Sequence, residues 1–257
     1  MKPLNNILLL FLLTISANAK SINIHINNIK MGQGDEISKY DTVTLHYKGW
    51  LSNGVLFDDT YQRNKPIVVT RGTSKILPGW ELALNDMKVG GIREFTVPPS
   101  LAFGKHGVPG VIPKNETLKF LIEVIATKKP PFTSINKLQL ETLMKTESIY
   151  LIDIRREDEW ISTGVIKDSI LLTAFDKHDQ FNKSFRQDLD GLIQPNSKIV
   201  LICRSGRRTG LIARALVEQA GFKNVFNLAD GINGWKEVGG KLTRSCPKLD
   251  YGSTCSD

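Results

Sequence analysis

Two adjacent prolines, Pro130 and Pro131, interrupt the 257-residue chain near its middle. Proline fixes φ and has no amide hydrogen, so neither can lie inside a helix or a central strand. The pair marks a stiff boundary between two domains, and the hydrophobic period differs on its two sides. Before it, Val43, Leu45 and Tyr47 alternate with Thr42, Thr44 and His46, and Leu118, Phe120, Ile122 and Val124 repeat the same period of two. That pattern predicts strands over 42–47, 67–70, 92–97 and 117–125. One helix is expected over 78–87, with proline near its start and Gly90-Gly91 beyond its end. The first domain, 20–129, is therefore α+β, an antiparallel sheet with a short helix and a long loop over 103–114. After the prolines, helices at 135–144 and 209–219 separate strands at 149–154, 198–202 and 225–228. Strands alternating with helices predict an α/β domain over 130–240, a parallel sheet with helices on both faces.

The ends of the chain read differently. Lys2, an apolar run over 7–15 and Ala17-Asn18-Ala19 form the pattern of a secretory signal cleaved after Ala19, so residues 1–19 are expected to be removed. Nine residues rise only about 14 Å as a helix, short of the roughly 30 Å hydrocarbon core. The expected mature protein is periplasmic or secreted, with no stable membrane insertion after signal cleavage. The formal charge of +8 is spread over both halves, which argues against nucleic acid as a partner.

The three cysteines all fall in the second half. In an oxidising compartment Cys246 and Cys255, in a polar tail over 241–257, are expected to form a disulfide. Cys203 stands apart. It follows an apolar strand and opens the loop Cys203-Arg204-Ser205-Gly206-Arg207-Arg208, ahead of a helix. A loop so placed turns successive amides inward, and the helix adds the positive end of its dipole. Gly206 and Ser205 permit the curvature. The arrangement stabilises a thiolate nucleophile and cradles an anion or a persulfide.

Residues 41–125 resemble the FK506-binding protein family of peptidyl-prolyl isomerases. The resemblance rests on Val43-Thr-Leu-His-Tyr-Lys-Gly-Trp50, Gly54-Val-Leu-Phe-Asp-Asp59, Leu77-Pro-Gly-Trp80, Met87-Lys-Val-Gly90, Val97-Pro-Pro99, Ala102-Phe-Gly104 and Ile112-Pro113. It implies proline-containing polypeptides as partners and a proline cavity formed by Tyr47, Phe57, Asp58, Ile76, Leu77, Trp80, Phe103, Val111, Ile112 and Phe120, with Trp80 as its floor. The Asp58 carboxylate on an apolar wall needs a partner, for which the Tyr47 hydroxyl is the candidate. Three positions depart from the family pattern: Phe103 replaces a usual tyrosine, Val108 a frequent histidine, and Ile67 a common wall aromatic. Loss of the tyrosine hydroxyl should weaken ligand binding by about 0.5 to 1.5 kcal/mol.

Residues 132–238 resemble a rhodanese, or sulfurtransferase, domain. The landmarks are Leu151-Ile-Asp-Ile-Arg155, Glu159-Trp160, Gly164-Val-Ile166, the Cys203 loop, Gly221-Phe222, Gly231 and Gly234-Trp235. The resemblance implies that Cys203 takes a sulfur atom from a small anionic donor and passes it to a thiophilic acceptor, without metal or cofactor. Arg204 and Arg207 are the expected anion-facing side chains, with Arg208 at the helix start. Arg155 is expected to brace the loop through an ion pair with Asp153 or Glu159. A cysteine-dependent phosphatase would need arginine six positions after the nucleophile, where this chain has Thr209. The combined expectation is a bifunctional isomerase and sulfurtransferase. Its rival is a peptide-binding chaperone module on a non-catalytic rhodanese-like scaffold.

Overall fold

The computed structural model describes residues 24–243 except Ser74. The signal segment and the Cys246–Cys255 pair lie outside the described residues. The first half holds β1 (His25–Lys30), β2 (Thr42–Trp50), β3 (Leu56–Asp59), β4 (Ile67–Thr70), α1 (Pro78–Ala83), β5 (Ile92–Val97) and β6 (Leu118–Lys128). These strands form one antiparallel sheet in the order β1-β5-β6-β2-β3, with β4 also paired to β2. Inward residues of β2 and β6, among them Val43, Leu45, Phe120 and Ile122, meet Trp80, Ala83 and Leu84 in a single core. The helix is shorter than the expected 78–87. The chain leaves it at Leu84, Asp86 takes a positive φ of 59°, and Met87 turns back so that its carbonyl accepts from the Ile37 amide at 2.9 Å.

The second half holds β7 (Thr133–Ile135), α2 (Lys137–Thr146), β8 (Tyr150–Asp153), α3 (Glu157–Thr163), β9 (Ile170–Leu171), α4 (Phe185–Leu192), β10 (Lys198–Ile202), α5 (Arg207–Ala220), β11 (Asn224–Leu228) and α6 (Gly231–Glu237). The strands are parallel in the order β7-β11-β10-β8-β9. Alternate residues of β10 serve opposite faces: Ile199 and Leu201 join Phe185, Leu189, Ile212 and Leu216, while Val200 and Ile202 join Leu140, Ile232 and Trp235. Helices therefore cover both faces, α4 and α5 on one and α2 and α6 on the other.

Two helix starts differ from expectation. Residues Thr133–Ile135 form an edge strand, and the helix begins only after Asn136, whose side chain accepts from the Gln139 amide while the Gln139 side chain accepts from the Asn136 amide. This reciprocal cap fixes the boundary. Helix α5 begins at Arg207, two residues before the expected 209, because Gly206 at φ 80° turns the chain directly into it. Among the described residues no helix is long and apolar enough to cross a membrane.

Helix α1 lies against the sheet through Gly79, where a β-carbon would overlap both γ-methyls of Val97. Gly79→Ala should therefore destabilise the chain by about 1 to 3 kcal/mol through overpacking, although alanine is the better helix former. Urea denaturation of the whole protein measures this, and an unchanged midpoint would mean that the helix can move off the sheet freely.

Candidate active sites

Strands β2, β3, β4 and β6, the start of α1 and the loop between β5 and β6 enclose a mostly apolar cavity of about 350 Å³. Tyr47, Phe57, Asp58, Ile76, Leu77, Trp80, Phe103, Val111, Ile112 and Phe120 all line it, joined by Ile67, Val69, Lys75 and Val108. Trp80 is 6% exposed. Its ring meets Tyr47 edge-on at 5.0 Å and Phe120 at 5.3 Å, and Phe57 meets Phe120 edge-on at 6.0 Å. Phe57 owes its place to Gly49, where a β-carbon would lie 2.5 Å from the ring. Val111, from the long loop, is exposed at the rim.

One charged group stands in this apolar wall. The Asp58 carboxylate accepts hydrogen bonds from the Tyr47 hydroxyl and from Arg63. Burial favours its neutral form, but the bonds from Arg63 and Tyr47 outweigh that effect and hold its pKa below the usual carboxylate value. Burial, together with the neighbouring carboxylate, pushes the Tyr47 phenol up to about 12. Over the ordinary range of pH the site therefore presents an ionised carboxylate and a neutral phenol.

The Cys203 loop sits at the C-terminal end of β10, between that strand and α5. Cys203 is 1% exposed, and its Sγ lies 3.3 Å from the Thr209 hydroxyl, which donates to the Gly206 carbonyl at 2.9 Å. The Cys203 and Arg204 carbonyls accept from the amides of Ile232 and Asn233 at 2.9 and 3.0 Å. Gly231, at φ 57°, makes this approach possible, since a β-carbon there would overlap the Cys203 carbonyl. The Arg204, Ser205 and Gly206 amides have no hydrogen-bond acceptor among the described residues.

The arginines of this domain have different partners. Arg208, in the first turn of α5, is buried and makes a two-point bond to Glu159 of α3, 2.8 and 2.6 Å. Burial raises the Glu159 pKa, but Arg208 and the Arg156 amide lower it further, so the carboxyl is held below its ordinary value. Glu159 is therefore not the side-chain partner of Arg155. That guanidinium, 1% exposed, bonds Asp153 at 2.7 Å, the Thr163 hydroxyl at 2.6 Å and the Gly164 carbonyl at 2.8 Å. It reaches only the backbone carbonyl of Glu159, at 3.4 Å. Arg155 thus ties α3 to β8, and the clamp on the loop comes from Glu159 and Arg208. Arg204 and Ser205 are exposed, and Arg207 lies 3.6 Å from Asp179.

The family model for FKBP-type peptidyl-prolyl cis-trans isomerase matches residues 34–125. The FK506-binding protein of Neisseria meningitidis serogroup B is 39% identical over 100 residues, which span 39% of this chain and 92% of that protein. The chain belongs to the FKBP-type isomerase family. The peptidyl-prolyl cis-trans isomerase Mip of Coxiella burnetii is 44% identical over 101 residues, spanning 39% of this chain and 43% of Mip. The family model for rhodanese-like domains matches residues 137–238, so the FKBP-type domain is fused to a rhodanese-like one.

Three residues at the FKBP-type cavity escaped the sequence reading. Val69 was accessible to it, since it shares a face of β4 with Ile67. Lys75, on an irregular segment, and Arg63, which reaches Asp58 from a turn, carry no such signal. In the rhodanese-like domain the buried Asp153–Arg155 pair is the most exposed to mutation. Asp153→Ala leaves a buried guanidinium without its anion and should cost about 3 to 5 kcal/mol. Chemical denaturation checks it, and a loss below about 1 kcal/mol, the range of a surface pair, would contradict burial.

Proposed function

We propose that the FKBP-type domain catalyses cis/trans isomerisation of X-Pro bonds and that the rhodanese-like domain transfers sulfane sulfur through a Cys203 persulfide. The ring-walled cavity around Trp80 supports the first activity most directly. The planar imide carries charge on its carbonyl oxygen, and the barrier to rotation in ordinary amides is roughly 18 to 20 kcal/mol. Phe57, Trp80 and Phe120 replace water around it and so favour the twisted, less polar state. The Asp58, Tyr47 and Arg63 bonds fix the polar part of the wall, and no nucleophile takes part.

In the second activity the Cys203 thiolate attacks the outer sulfur of a donor such as thiosulfate. The S–S bond breaks, sulfite leaves with the electron pair, and a persulfide remains. An acceptor nucleophile then attacks the outer sulfur and the thiolate departs with its electrons. The loop amides of Arg204, Ser205 and Gly206 bind the anionic donor, aided by Arg204 and Arg207 at the surface, while Arg208 maintains the loop through Glu159. The burial of Cys203 favours the second reading, in which the rhodanese-like domain is a non-catalytic scaffold beside a peptide-binding module. On either reading we take residues 1–19 as an export signal, the mature protein as periplasmic or secreted, and Cys246 and Cys255 as bridged.

The full chain should accelerate exchange of an X-Pro peptide, against an uncatalysed time of roughly tens of seconds, as measured by exchange NMR. Phe57→Ala or Asp58→Ala should lower kcat/KM by about tenfold or more, equivalent to about 1.4 kcal/mol. The rate should stay level between about pH 5 and pH 9. The depressed Asp58 pKa means that its charged form persists well into acid, and its contribution is lost only as pH falls through the folded-state value. A folded chain without acceleration leaves peptide binding alone, and a titration limb inside that window would contradict the assigned ionisation states.

Cys203→Ser should abolish thiocyanate formation from thiosulfate and cyanide with the circular dichroism spectrum unchanged, because a hydroxyl is a far poorer nucleophile than the loop-held thiol. Mass spectrometry after thiosulfate treatment should show one added sulfur on Cys203. A folded wild type that gains none, from thiosulfate or polysulfide, would leave only the scaffold reading.

A further inference from the structure

A turn of the FKBP-type domain reaches the cysteine loop of the rhodanese-like domain. Residues 38–41 close a tight turn in which the Asp41 amide donates to the Ser38 carbonyl at 3.2 Å and the Asp41 carboxylate accepts from the Ser38 amide at 2.9 Å. Lys129, just before the two prolines, pins this turn through Asp41 at 2.8 Å. Tyr40 occupies it at φ 72°, a left-handed conformation that bulky residues avoid unless their surroundings impose it. Only 2% of Tyr40 is exposed, and the core it joins is that of the second domain, with Phe132, Cys203 and Ile212.

The second domain provides a slot for this ring. Gly206 and Gly210 stand four residues apart at the start of α5 and so share one face. A β-carbon at Gly210 would lie 2.7 Å from the Tyr40 ring, and one at Gly206 would lie 2.6 Å from its hydroxyl oxygen. That hydroxyl donates to the Ala229 carbonyl at 3.1 Å, Lys39 Nζ donates to the same carbonyl at 2.8 Å, and Arg214 donates to the Tyr40 carbonyl at 3.0 Å. Lys39 also reaches the Ser205 carbonyl at 3.4 Å.

The Ser205 contact bears on the anion cradle. In a trans peptide unit the carbonyl and the following N–H point in opposite directions. Holding the Cys203 carbonyl through Ile232, the Arg204 carbonyl through Asn233 and the Ser205 carbonyl through Lys39 therefore turns the amides of Arg204, Ser205 and Gly206 the other way. Two of these three anchors belong to the rhodanese-like domain and the third comes from the FKBP-type domain. We propose that Lys39 and Tyr40 are positioning residues of the Cys203 loop, so that the anion-binding form of the rhodanese-like site is completed by the FKBP-type domain. This rests on the sulfur-transfer reading for its substrate but not for its geometry.

The test uses the full chain and two measurements. The first is alkylation of Cys203 by uncharged iodoacetamide, followed by mass spectrometry; the second is KM and kcat for sulfur uptake from thiosulfate. Lys39→Met and Tyr40→Ala should each change the alkylation rate and raise the KM for thiosulfate by about tenfold, the scale of effect expected from small misplacement of reacting groups. Lys39→Arg and Tyr40→Phe should return both quantities to within about threefold of wild type, the differences a single weak hydrogen bond makes. Gly210→Ala, which fills the slot without changing any residue of the FKBP-type domain, should behave like Tyr40→Ala. Isomerase activity should remain unchanged in every variant. A merely structural role would lower the active fraction with KM unchanged, and that result, or alkylation rates within twofold of wild type in folded Lys39→Met, would overturn the proposal. If Tyr40→Ala fails to fold, Lys39→Met decides alone, since Lys39 is exposed. If wild type takes up no sulfur, the sulfur-transfer reading fails while the alkylation series still tests the positioning role.

Discussion

A guanidinium shut away from water must find its partners within the protein, and Arg155 finds all of its partners on two elements. Asp153 ends β8, while Thr163 and Gly164 end α3. Desolvation of such a pair is expensive, and it is tolerated only when the remaining donors are also satisfied. The outcome is positional. Helix α3 cannot slide along the sheet, so its first turn presents Glu159 at a fixed height to Arg208. The start of α5 is held in turn, and with it one end of the cysteine loop. The loop is thus suspended between an ion-pair network on one side and a borrowed turn on the other.

The FKBP-type cavity uses a different means of being rigid. Its walls are rings in edge-on contact, a geometry worth about 0.5 to 1.5 kcal/mol per pair beyond the area buried. Trp80, Phe95 and Phe120 brace one another from behind, so the cavity does not collapse for want of a ligand. The two proposed activities ask different things of their sites: one needs water removed from a neutral bond, the other amides and charge arranged around a sulfur anion.

Much of this was legible in the chain. Strand β10 stood out because five apolar or stem-bearing residues run directly into a glycine loop, and the cavity residues because so many short motifs occur in order. The omissions have physical reasons. All six residues of β1 are exposed, so no burial pattern marks it as a strand. Helix α3 opens with three acidic residues and buries none of its seven, so its period is silent. Asp153 and Glu159 were both open to Arg155 in the sequence; Asp153 takes it, and the partner of Glu159, Arg208, lies on another helix. Nothing local announces Tyr40 either, since its slot at Gly206 and Gly210 becomes a slot only when the sheet has placed α5.

The turn at Tyr40 gives the chain two boundaries that do not coincide. The covalent boundary is Pro130-Pro131. The physical seam runs elsewhere, because an aromatic ring encoded in the first segment fills a groove encoded in the second. A recombination event at the prolines would transmit each half with a defect, one carrying a bare aromatic on its surface and the other an unfilled groove beside its thiol. Neither segment is self-sufficient at this seam: a change at 39–40 alters the surroundings of 206–210, and a change at 206–210 alters those of Tyr40.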